Sequence, residues 1–219
     1  MFKHSDKIYL DYEDLNSITK DTGRKYVIPN GTEYPSITTI LSILSKKAID
    51  KWRKRVGEDA ASRISYKAST RGTAVHEIIE KYLNNDVDYK KGYMPSIISS
   101  LNDVKGVLNR IDEIYLQECA LYSDHLGLAG RVDCIGKFDG ELSVIDFKTS
   151  SKPKKVEWIE SYFMQCAAYA IMWEERTKIP ITKLVILIAV DNHEPQIFIE
   201  HRDNWTKKLI ETIHIYHEQ

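Results

Sequence analysis

The chain has 219 residues, 42% hydrophobic and 29% charged, with a net charge of −1. That suits an ordinary globular protein with one substantial core, and it does not demand two domains. No apolar run approaches the roughly 20 residues that a membrane span needs, and Cys119, Cys134 and Cys166 are too scattered for a disulfide framework or a zinc site.

The first 35 residues read as short strands and turns, with KIYLDY and RKYVIP as strands and NGTEYP as a turn. The opening MFKHSDKIYLDYEDL has no apolar signal core and too many acids for a transit peptide, so no targeting segment is expected and the cytoplasm is the default location. Ser36 is placed to cap a helix carrying Ile37, Ile40, Leu41, Leu44 and Ile49 at helical spacing. Over residues 46–71, nine Lys/Arg stand against three Asp/Glu. A solvated helix face explains any one such run. A second run, residues 147–155 with four lysines and no acid, shifts the reading toward a polyanionic partner. Lys51, Trp52 and Arg53 form a candidate single-strand platform of cations beside a stacking ring. A solvated helix with one buried Trp explains them almost as well.

A second helix is predicted over residues 71–83, with Val75, Ile78, Ile79 and Tyr82 on its apolar face, and a third over residues 101–114. Three strands follow at 115–122, 128–135 and 142–149, then a long helix at 157–178 and a buried strand at 184–190. QIFIEH makes one more strand, and residues 205–217 a closing helix. Setting the extra helix aside, the order from Arg71 is helix, three strands, helix, strand. This is an α/β arrangement with an antiparallel meander and a crossover onto a buried strand.

Asp139-Gly140, flanked by alternating apolar residues, is a strong signal for a two-residue hairpin turn. With that turn, Phe138 faces Glu141, Ile135 faces Val144, Asp133 faces Asp146 and Arg131 faces Lys148. A four-residue loop at 124–127 sets Glu118 opposite Asp133 as well. Opposed like charges destabilise a strand pair, so three carboxylates in a row need a reason, and an oxygen-rich cage for a hard divalent cation supplies one. Asp146 and Lys148 project from the same strand face. A lysine there can orient a water and stabilise its hydroxide form, which is chemistry for phosphodiester hydrolysis. Thr149, Ser150 and Lys152 are expected to meet phosphate at a helix start, and Arg131 to pair with either a carboxylate or a phosphate.

The ordered set resembles the PD-(D/E)xK nuclease superfamily in its RecB-like branch. Asp133 matches the first acid, with Val132 in the place of the name-giving proline, and IDFKTS matches the second half-motif through Asp146 and Lys148. RGTAVHEIIEKYL is similar to the branch's Gly-x-x-x-His helix through Gly72 and His76, and QCAAY to its Gln-x-x-x-Tyr motif through Gln165 and Tyr169. YPSITTILS followed by a basic helix resembles the mitochondrial genome maintenance exonucleases and their phage relatives.

The resemblance implies a restriction-endonuclease-like αβββαβ core with a mixed sheet, plus N-terminal accessory strands and a helix. The whole of 1–219 is expected as one nuclease domain: an accessory segment over 1–68, a catalytic core over 69–190, and a C-terminal strand and helix over 191–219. It further implies one or two Mg²⁺ or Mn²⁺ ions held by His76, Asp133, Asp146 and the Phe147 carbonyl, and no iron–sulfur cluster. Lys148 would position water, Gln165 would lie at the active site, and Glu80 and Glu118 would stand behind the ligands. Lys51, Trp52, Arg53, Arg131, Thr149, Ser150, Lys152 and Tyr169 are the expected DNA contacts, Tyr169 alternatively bracing the site. The expected activity is that of a monomeric DNA exonuclease on single-stranded ends, in a bacterial or phage-infected cell, serving replication, recombination or repair. The alternatives are a structure-specific or restriction-like endonuclease and a non-catalytic DNA-binding recombination partner.

Overall fold

The structure is a computed structural model that describes residues 1–218. Its centre is a six-stranded mixed sheet in the order β1-β5-β6-β7-β8-β9. Lys3–His4 (β1) pairs parallel with Ile111–Ser123 (β5), and β5, Leu128–Phe138 (β6) and Glu141–Ser150 (β7) form an antiparallel meander. A crossover from β7 brings Lys183–Val190 (β8) parallel to it, and Gln196–His201 (β9) closes the far edge antiparallel. The meander and crossover are those read from the sequence.

Both faces of the sheet are covered. On β8, Leu184, Ile186 and Ile188 pack into one apolar cluster, while Val185, Leu187 and Ala189 pack into the other. An uninterrupted apolar run is the pattern for a strand with two buried faces. The first cluster takes residues from Ile37–Val56 (α1), Glu160–Thr177 (α4) and Asp203–His217 (α5), and the second from Glu58–Leu83 (α2) and Pro95–Leu108 (α3).

Ser36 caps α1 as expected, its Oγ accepting from the Thr39 amide at 3.1 Å. The Asp-Gly turn is also as expected, with Asp139 at φ +51° and Gly140 at +78°, the positive pair that matches strand twist.

Other boundaries move. α2 begins at Glu58, thirteen residues before the expected start and across the expected accessory boundary. Its early turns carry no apolar stripe, because residues 62–70 are exposed on every side. α3 runs Pro95–Leu108 rather than 101–114, and Ile111 and Ile114, whose spacing imitates a helix face, open β5 instead. The long helix starts at Glu160, after a 3₁₀ turn at Val156–Trp158.

At the N-terminus, KIYLDY is an irregular strap rather than a strand. Tyr9 lies 5.0 Å from the Trp173 ring, and Tyr12 donates to the Ala120 carbonyl at 3.0 Å. Ser17–Lys20 (β2), Gly23–Val27 (β3) and Glu33–Pro35 (β4) form a separate antiparallel sheet. It packs through Tyr26 and Ile28 onto Ala120, Tyr122 and Ala129 of the meander.

Candidate active site

β6 and β7 pair from Phe138↔Glu141 back to Cys134↔Ile145, in the predicted register. Asp133 and Asp146 fall one step past the last pair, where the strands part. There the Phe147 amide donates to Oδ2 of Asp133 at 2.8 Å. On the other flank, Cys119↔Val132 and Gln117↔Cys134 bracket Glu118 opposite Asp133. Glu118 sits at φ +46°, a conformation that side-chain-bearing residues rarely adopt, so the ladder skips it. The three acids converge through a parted hairpin and a left-handed residue, not along a continuous ladder.

His76 reaches this point from α2. Its Nδ1 lies 3.6 Å from Asp133 Oδ2 and 4.0 Å from Glu118 Oε1. One donor atom from each of His76, Glu118 and Asp133 lies within 4.8 Å of the other two, so these three residues can hold a metal ion. The Phe147 ring meets the imidazole edge-on at 6.4 Å. Gly72 is one turn earlier, where an added Cβ would make only an ordinary 3.8 Å contact with Thr149. Packing at this point does not demand a glycine.

Asp146 is 1% exposed, with Lys148 Nζ 2.5 Å from its Oδ2 and no well-directed hydrogen bond to either oxygen. Lys148 also lies 5.1 Å from the ring of Tyr162 on α4. Burial, the charges of Asp133 and Glu80, and then Asp146 push the Glu118 carboxyl up to about 8, against the opposing pull of Arg131. Burial and Asp133 likewise push Asp146 up. Burial lowers Lys148, but the pull of Asp146 and Asp133 outweighs it and holds the ammonium above its ordinary value. Burial is the main cause for both acids, and the charges of neighbouring carboxylates add to it at Glu118 and hold Lys148 protonated. A hard divalent cation would offset the charge of the gathered carboxylates, and the imidazole, the carboxylates and the unpartnered Asp146 Oδ1 are donors that such a cation accepts.

His76, Glu118 and Asp133 border a cleft of about 380 Å³, lined also by Arg24, Thr73, Glu77, Glu80 and Arg131. Glu80 lies on the cleft wall outside the trio. Glu118, expected behind the ligands, is one of the three residues whose donor atoms converge. Gln165 and Tyr169 pack beneath from α4, Gln165 Nε2 donating to Tyr169 Oη at 3.2 Å. Tyr169 is buried and presents no face to solvent. A Cβ on Gly130 would stand 2.8 Å from the Tyr169 ring, which makes glycine the residue that admits it.

Other expected contacts are not free. Arg131 does not flank Lys148; its guanidinium bonds the Glu118 carbonyl and the Asp14 carboxylate. Arg53 is held by Glu58 at 2.8 Å and Ser62 at 3.0 Å. Lys51 is exposed and Trp52 half-buried on α1. No helix starts at Thr149 or Ser150. Ser150 is buried, its Oγ spent on the Lys152 carbonyl at 2.7 Å, while Thr149 is half-buried and Lys152 exposed. Tyr162, Asp14 and Arg24 were not foreseen. Tyr162 shares the α4 face of Gln165 and Tyr169, a spacing that could have shown it. Asp14 and Arg24 arrive from distant chain and leave no local signal.

A family model described as the PD-(D/E)XK nuclease superfamily matches residues 98–213, and the chain belongs to that superfamily. It is 30% identical to the Homo sapiens protein named mitochondrial genome maintenance exonuclease 1, over 62% of this chain and 42% of that protein. It is 28% identical to the Xenopus tropicalis protein of the same name, over 76% of this chain and 51% of that one. The chain thus spans about half the length of the curated relatives it matches. A crystal structure of a protein from Eubacterium rectale superposes with a TM-score of 0.48 at 13% identity, over 66% of this chain and 64% of its own. That likeness is too loose to carry an argument.

Proposed function

We propose that the chain is a divalent-metal-dependent deoxyribonuclease that removes nucleotides from single-stranded DNA ends, in replication, recombination or repair. The observation that carries this reading is the meeting of His76, Glu118 and Asp133 within 4.8 Å, beside a buried Asp146–Lys148 pair at 2.5 Å. The name of the relatives, an exonuclease of genome maintenance, supports end-directed action on DNA.

In this reading His76, Glu118, Asp133, Asp146 and the Phe147 carbonyl hold one or two Mg²⁺ or Mn²⁺ ions. Such an ion, when bound, acidifies water and polarises a phosphodiester. Lys148 is a donor only; it orients the attacking water and steadies the hydroxide while the proton leaves to solvent. The Phe147 amide fixes which oxygen of Asp133 faces the cleft. Gln165 and Tyr169 support the site from α4, where the Tyr169 ring packs against Gly130 of β6. Lys51, Trp52, Thr149 and Lys152 are the residues left to meet the strand.

Digestion of end-labelled linear and circular single strands tests the reading. Linear DNA should disappear with Mg²⁺ or Mn²⁺ and survive in EDTA, while circles resist. Equal loss of both forms would assign an endonuclease, and undiminished activity in EDTA would remove the metal.

A further inference from the structure

We infer that Arg131 is a positioning residue that holds Glu118 in its left-handed conformation, and that Asp14 of the N-terminal segment holds Arg131 in turn. One arm of the guanidinium donates to the Glu118 carbonyl and the other to Asp14. Glu118 is where β5 needs help. Its φ of +46° lies within a strand whose neighbours Gln117 and Cys119 keep their register with β6. A residue so placed is strained and persists only when its surroundings over-determine it. The left-handed turn takes the Glu118 carbonyl out of the ladder, and Arg131 receives it.

The consequence reaches the cleft. Glu118 Oε1 is 4.0 Å from His76, so its backbone angle sets how far its carboxylate projects. The brace spans 117 residues from Asp14 to Arg131. Asp14 of the N-terminal segment thus contributes to the geometry of the acid cluster through Arg131. A single-point cation cannot bridge both partners as a planar fork does.

This inference rests on the proposed metal role of Glu118, and two measurements separate the failures. In EDTA, Glu118→Gly should melt above Glu118→Ala, because glycine adopts φ > 0 freely. Arg131→Met should lower the melting temperature of the wild type but have little effect in the Glu118→Gly background. Equal loss in both backgrounds overturns the brace, with no metal involved. By calorimetric titration on folded protein, Arg131→Lys and Asp14→Asn should weaken Mn²⁺ binding by about 10–100-fold, the usual cost of losing a ligand's supporting partner. A merely structural arginine would lower the melting temperature and leave that affinity unchanged. Should Asp14→Asn instead tighten single-stranded DNA binding while Mn²⁺ binds as before, Asp14 is a place-holder for phosphate and the inference fails. Glu118→Gln binding Mn²⁺ like wild type would overturn the metal role of Glu118, leaving the double-mutant comparison to judge the brace.

Discussion

The amide of Phe147 donates to Oδ2 of Asp133 at 2.8 Å, immediately beyond the last paired residues of β6 and β7. A side chain thus takes over where the main-chain ladder ends. The hairpin tolerates Asp133 across from Asp146 because the strands separate at that step, and the acid satisfies one of the groups the separation exposes.

That bond distinguishes two substitutions. Asp133→Ala leaves a buried amide without an acceptor, at about 1–3 kcal/mol. Asp133→Asn keeps an acceptor and removes a charge facing Glu118. Both should be inactive, but in EDTA the asparagine variant should melt higher by several degrees, at about 2–4 °C per kcal/mol for a chain of this size. Indistinguishable melting temperatures would remove the bond from the account.

Metal should stabilise the folded protein measurably. An ion that binds only the native state adds about 2.7 kcal/mol at a hundred times its dissociation constant. The wild type should therefore melt progressively higher as Mn²⁺ is added, and His76→Ala should lose most of that gain. A wild type indifferent to Mn²⁺ would make the acids structural.

Lys148→Ala should cost orders of magnitude in hydrolysis while DNA affinity in Ca²⁺ changes little, since one cation among many contributes modestly to strand binding. The variant also strands Asp146, which is 1% exposed, so its melting temperature in EDTA should fall. A variant that cuts normally but binds poorly would make Lys148 a strand contact.

Acid should loosen the ties that Glu113 of β5 makes to β1 and β6. Glu113 lies 2.9 Å from both Lys3 and Lys137, and those hydrogen bonds hold its carboxyl down to about 2, against an ordinary 4.5. A depressed folded value stabilises fully above the unfolded value and is lost as pH falls through the folded one. The wild type should therefore melt above Glu113→Gln near neutral pH, with the gap closing between 4.5 and about 2. A gap that widens on acidification would reverse the assignment.

Where the sequence carried a period or a turn signature, it could be read through to the site. The alternation around Asp139-Gly140 yielded the register, and the apolar run over β8 yielded the crossover, so Asp133, Asp146 and Lys148 were found from spacing. His76, Gln165 and Tyr169 rested on resemblance. What escaped was decided by tertiary contact. Nothing local says that Arg131 would turn to Asp14, or that Ser150 would spend its hydroxyl on a turn. The expected Asp133–Asp146 pair failed in detail because register arithmetic assumes a ladder that continues.

α2 extends over 26 residues, about 39 Å at 1.5 Å per residue. Its later turns bury Val75, Ile78 and Ile79, while residues 62–70 have no buried member. Helix without tertiary packing is marginal in water, so one continuous helix should show two hydrogen-exchange regimes. Amides over 62–70 should exchange through local fraying, and those around Ile78 only when the molecule opens globally. The imidazole of His76 is thus carried on the slow-exchanging end of a helix whose other end yields to whatever approaches it.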